Sequence, residues 1–163
     1  MDGVANTMKE YSDSREIYLG LLTMDILLQH VGKSSISSLT KIDLRNCKIK
    51  NIECFEKVEM NQLVVLNMDN NNINSLEGLR KLSSLKFLSL NNNKIERLVS
   101  SSYMSNNLPI VFPKLEELHL GGNLIQRIPD ISMVKFPCLK LLFLNNNKIN
   151  KVDYEYIYIY FIK

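Results

Sequence analysis

The sequence predicts an α/β solenoid, with about five short parallel strands on a concave face, 3₁₀-like or irregular convex segments, and a cap helix in front. Three observations point there. The motif LxxLxLxx(N/C)xI is written five times. Between two of the copies an apolar residue recurs at every third position, which fits one face of a 3₁₀ segment rather than an α-helix. A helical apolar pattern precedes the first copy. Repeats of this kind cannot bury their apolar face alone and must stack. A length of 163 residues fits one short array, and a hydrophobic share of 45% is that of a folded chain.

At the front, residues 1–12 are expected to be disordered, and no apolar core of a secretory leader is visible in MDGVANTMKEYSDSRE. Residues 13–38 are expected to form the cap helix and a linker. Asp13 and Glu16 imitate a capping box, and Ile17, Leu21, Met24, Leu28 and Val31 follow helical spacing, weakened slightly by Gly20. A cap is expected because the first coil of a solenoid otherwise exposes its core edge. The apolar run from Ile17 to Val31 is short for a membrane span and contains Asp25. Its opposite face lacks the Lys/Arg enrichment of a membrane-surface helix.

The repeats occupy residues 39–152. The copies are LTKIDLRNCKI from Leu39, LVVLNMDNNNI from Leu63, LKFLSLNNNKI from Leu85, LEELHLGGNLI from Leu115 and LKLLFLNNNKI from Leu139, so the openings are spaced 24, 22, 30 and 24 residues. The segments between them keep register too. In the second copy Ile73, Leu76, Leu79, Leu82 and Leu85 are three apart. Ile49, Ile52, Phe55, Val58, Met60 and Leu63 correspond to Ile125, Ile128, Ile131, Val134, Phe136 and Leu139.

From Leu39 to Val152 this pattern resembles the leucine-rich-repeat superfamily. Its 22-residue form is most similar to the intracellular subclass, which includes a regulatory subunit of protein phosphatase 1, a leucine-rich subunit of a spliceosomal ribonucleoprotein and axonemal dynein-associated proteins. The resemblance implies a right-handed coil. It also implies a structural ladder at Cys47, Asn71, Asn93, Asn123 and Asn147. There the chain leaves the strand and bends inward, and an Asn side chain can both donate to and accept from the stranded backbone groups. The other asparagines of each triplet are expected to face solvent as filler.

Two stretches depart from the pattern. The third copy carries about eight extra residues within VSSSYMSNNLPIVFPKL, read as a surface loop rich in Ser, Asn and Pro. Residues 153–163, DYEYIYIYFIK, break register after Ile149 and Val152. They read as an atypical, strand-prone tail, of the sort a truncated chain leaves, where a polar cap is expected.

Catalytic chemistry has little to stand on. The chain lacks GxGxxG, Walker, GxSxG and HExxH patterns. Gly121-Gly122 has no helix start behind it to cradle a phosphate. His119 and Glu117 lie two apart on one strand and read as a solvated pair, and His30 as chemically idle. Cys47, Cys54 and Cys138 show no metal-ligand spacing and read as reduced thiols. A net charge of +3, with a mixed Lys41, Asp43, Arg45 set on the first strand, gives no nucleic-acid footprint. The expectation is therefore a non-enzymatic cytoplasmic or nuclear protein without cofactor, catalytic site or metal, monomeric alone and off the membrane. Its partner is another protein, nucleic acid being disfavoured; the alternative is a structural component of a ribonucleoprotein complex.

With the ladder leucines pointing inward, the residues between them face out along the concave face. The third-position column reads Lys41, Val65, Phe87, Glu117, Leu141; the fifth reads Asp43, Asn67, Ser89, His119, Phe143; the seventh reads Arg45, Asp69, Asn91, Gly121, Asn145. Val65, Phe87, Leu141 and Phe143 are apolar where polar residues are expected. Clustered exposed apolar groups mark a binding surface, so the expected partner-binding set is Val65, Asn67, Asp69, Phe87, Ser89, Asn91, Glu117, His119, Leu141, Phe143 and Asn145. Two apolar contacts are expected, Val65 with Phe87 and Leu141 with Phe143, separated by Glu117 and His119.

Overall fold

The computed structural model describes residues 20–32, 36–98, 110–126 and 134–150. Its elements are helix α1 (Met24–Val31) and strands β1 (Lys41–Asp43), β2 (Val65–Asn67), β3 (Phe87–Ser89), β4 (Ile110–Val111), β5 (Glu117–His119), β6 (Val134–Lys135) and β7 (Leu141–Phe143). Short 3₁₀ turns occupy Glu53–Glu56 and Glu77–Leu79. The five longer strands form one parallel sheet in the order β1-β2-β3-β5-β7.

The register is that of the repeat. Lys41 pairs with Val65, Val65 with Phe87, Phe87 with Glu117, and Glu117 with Leu141. Any slip by one residue would turn each ladder leucine out to solvent. The central residue of each strand points inward: Ile42, Leu66, Leu88 and Leu118 are at most 3% exposed. They stack on Leu44, Met68, Leu90 and Leu120 and on Ile49, Ile73, Ile95 and Ile125 to make one continuous core. On the far side the three-residue spacing does what a 3₁₀ face should. Ile73, Leu76, Leu79, Leu82 and Leu85 are all buried, around the turn at Glu77–Leu79. Ile128 and Ile131 lie outside the described residues.

The cap helix is shorter than its spacing suggests. It begins at Met24, where the Thr23 hydroxyl accepts from the Ile26 N–H, and ends at Gly32, whose φ of 63° places it in the left-handed region. Residues 20–23 are not helical. Gly20 has φ 70°, its carbonyl accepts from the Lys50 and Asn51 N–H groups, and Leu21 bridges to Asn51. A Cβ at Gly20 would lie 2.8 Å from the Lys50 Cβ, so the close approach needs glycine. The buried face is therefore Leu22, Ile26 and Leu27 rather than a stripe through Leu21, which is 38% exposed. Asp13, Glu16 and Ile17, like residues 1–12 and 153–163, lie outside the described residues.

The end of the insertion also differs from a plain loop. Ile110–Val111 forms β4, which pairs in parallel with β6 in a second, two-stranded sheet. Behind it the rings of Phe112 and Phe136 stack, centroids 5.7 Å apart and 10° from parallel. The sequence carries the reason twice, as IVFPKL from Ile110 and VKFPCL from Val134. The remainder of the insertion, 99–109, is outside the described residues.

Candidate functional site: the concave face and the turns that hold it

The face is held by its turns. Leaving each strand, the chain turns inward and would strand backbone groups in the core. Asn93 Oδ1 accepts from the Ile73 N–H of the previous coil at 3.0 Å, while its Nδ2 donates to the carbonyls of Met68 and Leu90, both at 3.0 Å. Asn71 does the same between Ile49, Leu44 and Met68. Asn123 does so between Ile95, Leu90 and Leu120. Asn147 does so between Ile125, Leu120 and Leu144. Each amide thus staples two coils. In the first copy Cys47 donates its thiol to the Arg45 carbonyl at 3.3 Å, and its N–H is taken by Asn71 Oδ1. Burial pushes the Cys47 thiol up to about 11, so it remains an S–H donor at neutral pH. The same cause raises Cys54 to about 12.

The neighbouring asparagines are not filler. Asn46, Asn70, Asn92 and Asn146 have φ of 55–61°, and Gly122, in the same column, has 67°. L-residues reach this region at a cost, which Asn tolerates best apart from glycine. That column is therefore chosen for its backbone. Asn92 Nδ2 also donates to Asn70 Oδ1 at 2.9 Å. A Cβ on Gly122 would meet Asn92 Oδ1 at 2.2 Å. Gly121-Gly122 thus supplies room and a left-handed turn.

Polar bonds also run across the sheet. Asp69 Oδ1 accepts from the Ser89 hydroxyl at 2.6 Å and the Asn91 N–H at 2.7 Å, and Asn91 Oδ1 accepts from the Gly121 N–H at 2.8 Å. Ser89 is only 2% exposed. It belongs to the support of the floor and is withdrawn from the expected contact set. Asp43 is occupied by Arg45, which donates at 2.7–3.0 Å to both its oxygens. That pairing holds the Asp43 carboxyl below its ordinary value. At the edge of the floor Glu116 bridges Lys86 and Lys140, and its carboxyl is lowered by the hydrogen bond from Lys140 and then that from Lys86.

The apolar groups meet differently from the two separate contacts expected. His119 Nε2 lies 2.6 Å from Glu117 Oε1, both side chains being half-buried. The imidazole packs against Phe87 on one side, centroids 5.1 Å apart, and Phe143 on the other, 4.3 Å apart. Instead of dividing two patches, His119 joins them into one aromatic stripe over β3, β5 and β7. Leu141 and Phe143 are 50% and 40% exposed, and Val65 and Phe87 are half-buried.

At the other end of the floor lies a depression of about 520 Å³ lined by His30, Val31, Leu39, Lys41, Ile42, Asp43, Val65, Asn67 and Phe87. His30 and Val31 come from α1, outside the repeats, and Leu39 opens the first copy ahead of the exposed columns. His30 Nε2 lies 2.5 Å from the Asp43 carbonyl oxygen, which fixes the end of α1 to β1, and its buried Nδ1 has no hydrogen-bond partner among the described residues. Among the described residues no cluster of three or more metal-ligating side chains occurs, and no helix is long and apolar enough to cross a membrane.

A Leucine-rich repeat family profile matches residues 22–163. The chain belongs to the leucine-rich-repeat family. It is 30% identical over 144 residues to U2 small nuclear ribonucleoprotein A' of Arabidopsis thaliana, covering 87% of this chain and 55% of that protein. It is 30% identical over 119 residues to Acidic leucine-rich nuclear phosphoprotein 32 family member A of Drosophila melanogaster, covering 72% of this chain and 42% of that protein. Among solved structures, the Drosophila melanogaster SNF/U2A' complex matches with a TM-score of 0.56 at 28% identity, covering 73% of this chain and 65% of that one. The chain spans about half the length of these two curated relatives. These relatives place it with leucine-rich repeats of the intracellular type, a family of generally non-enzymatic interaction modules.

Proposed function

We propose that this chain is a non-enzymatic scaffold or regulatory subunit that binds another protein through its concave face. The observation that carries the reading is the stripe of Phe87, His119 and Phe143, continued by exposed Leu141. Five strands at about 4.8 Å make a floor roughly 19 Å wide, which a helix of roughly 13 residues crosses. Interface energy concentrates in buried aromatics. Phe143→Ala should weaken partner binding by about 1–3 kcal/mol with an unchanged melting profile. Lys81→Ala, behind the 3₁₀ turn, should leave binding alone. The test is a pull-down from nuclear and cytosolic extracts with both variants, followed by titration of the captured partner. A partner whose affinity ignores Phe143 would refute the reading.

A second reading, a structural role in a ribonucleoprotein, is favoured by the similarity to U2 small nuclear ribonucleoprotein A'. On that reading the chain would work in the nucleus. RNA retained by the captured complex should be lost steeply with salt if the chain itself touches phosphates. The single mixed set at Lys41, Asp43 and Arg45 favours contact with protein.

A further inference from the structure

We infer that the depression beside α1 is the anchor point of the partner segment, taking one apolar side chain together with an adjacent carboxylate that pairs with Lys41. The inference rests on the concave-face reading above and adds the polarity of what binds there. Val31, Leu39, Ile42, Val65 and Phe87 give the depression apolar walls, and its volume of about 520 Å³ lies within the range of ligand pockets. Phe87 is shared between this wall and the aromatic stripe, so a segment lying along the stripe reaches the depression without leaving the surface.

Charge selects the occupant. Asp43 is taken up by Arg45 at 2.7 Å. Farther along, Lys86 and Lys140 share the single Glu116 carboxylate. Lys41 is exposed, lines the depression, and has no ion-pair partner among the described residues. The end of α1 would oppose an incoming carboxylate, but the Gly32 N–H already occupies the Gln29 and Leu28 carbonyls there. Among the described residues, what remains at this end of the floor is an apolar hollow with one unspent cation, Lys41, at its rim. The matching chemistry is an acidic residue beside a large apolar one, on a protein segment long enough to continue across β3 to β7.

A displayed library of helix-forming peptides of about 14 residues, long enough to cross the floor, is selected on the full chain. Wild-type selections should enrich an acidic residue next to an apolar anchor at one end. Lys41→Glu, an exposed change, should weaken those peptides at least tenfold and, in a fresh selection, switch the preferred charge to basic; Lys41→Gln should weaken without switching. Peptides that lose affinity with Phe143→Ala but ignore Lys41→Glu would overturn this inference and leave the concave face standing. Peptides indifferent to both changes would overturn both. A chain that proves dimeric by sedimentation, and monomeric with Val65→Glu, would also overturn it, since a second copy would then be the occupant.

Discussion

LSLNNNKI at residues 88–95 and LFLNNNKI at residues 142–149 differ at one position, yet they live in different environments. In the first, Leu88, Leu90 and Ile95 are fully buried and Asn93 is 3% exposed. In the second, Leu142, Leu144, Asn147 and Ile149 are only half-buried, although Asn147 makes the same bonds as Asn93. The motif fixes geometry; the coils stacked on either side fix how much water each group loses. β3 lies between β2 and β5, whereas β7 is the last strand of its sheet. Stability in a solenoid is therefore close to a sum of neighbour terms, and one substitution should cost different amounts in the two copies.

The largest contrast is expected in the core. Leu90→Ala removes a side chain packed on every side and should cost about 3–4 kcal/mol. Leu144→Ala should cost about 1–2 kcal/mol, because its site is already partly hydrated. Urea melts of the pair measure the difference directly. Next comes the amide staple. Asn93→Ala strands the buried Ile73 N–H, while the Met68 and Leu90 carbonyls each lose one of two donors and keep the amides of Asn71 and Asn123, for a loss of about 1–3 kcal/mol. Asn147→Ala should lose about half of that by the same assay, because water reaches its partners. A smaller effect belongs to the left-handed column: Asn92→Ala should cost about 1 kcal/mol and Asn92→Gly almost nothing, since the bond to Asn70 lost in both is exposed and the backbone conformation decides the difference. Equal losses for the two would mean that the side chain matters more than φ.

The smallest effect is electrostatic and confined to the first strand. Arg45 depresses the folded carboxyl of Asp43 below its unfolded value, so the stabilisation is present above the unfolded value, near 3.8, and is lost as pH falls through the lower folded one. Both groups are about half exposed, so solvent screens the pair. Melting temperatures of wild type and Arg45→Met should converge as the pH drops below about 3.8. A gap that widens toward acid would contradict the sign.

Most of the sheet was legible because LxxLxL leaves one register in which every leucine is buried, and the columns from Lys41 to Phe143 follow from it. The 3₁₀ turns were legible from the spacing of Ile73 to Leu85. The left-handed column was not, because a run of asparagines hides which one carries the unusual φ. The clue lay in reading down the copies: Asn46, Asn70, Asn92, Gly122 and Asn146 are all types that tolerate it. The helix start was misplaced because a 3.6-residue spacing from Ile17 onward outweighed Thr23, the residue that caps α1. The aromatic stripe needed coordinates, since Phe87 and His119 occupy different columns and meet only diagonally across β3 and β5.

Hydrogen exchange on the chain, free and with its captured partner, tests the central claim most directly. Protection should rise at residues 65–67, 87–89, 117–119 and 141–143 and stay unchanged at the 3₁₀ turns at 53–56 and 77–79. New protection confined to those turns or to 110–111 would place the partner on the other side of the solenoid and contradict the account.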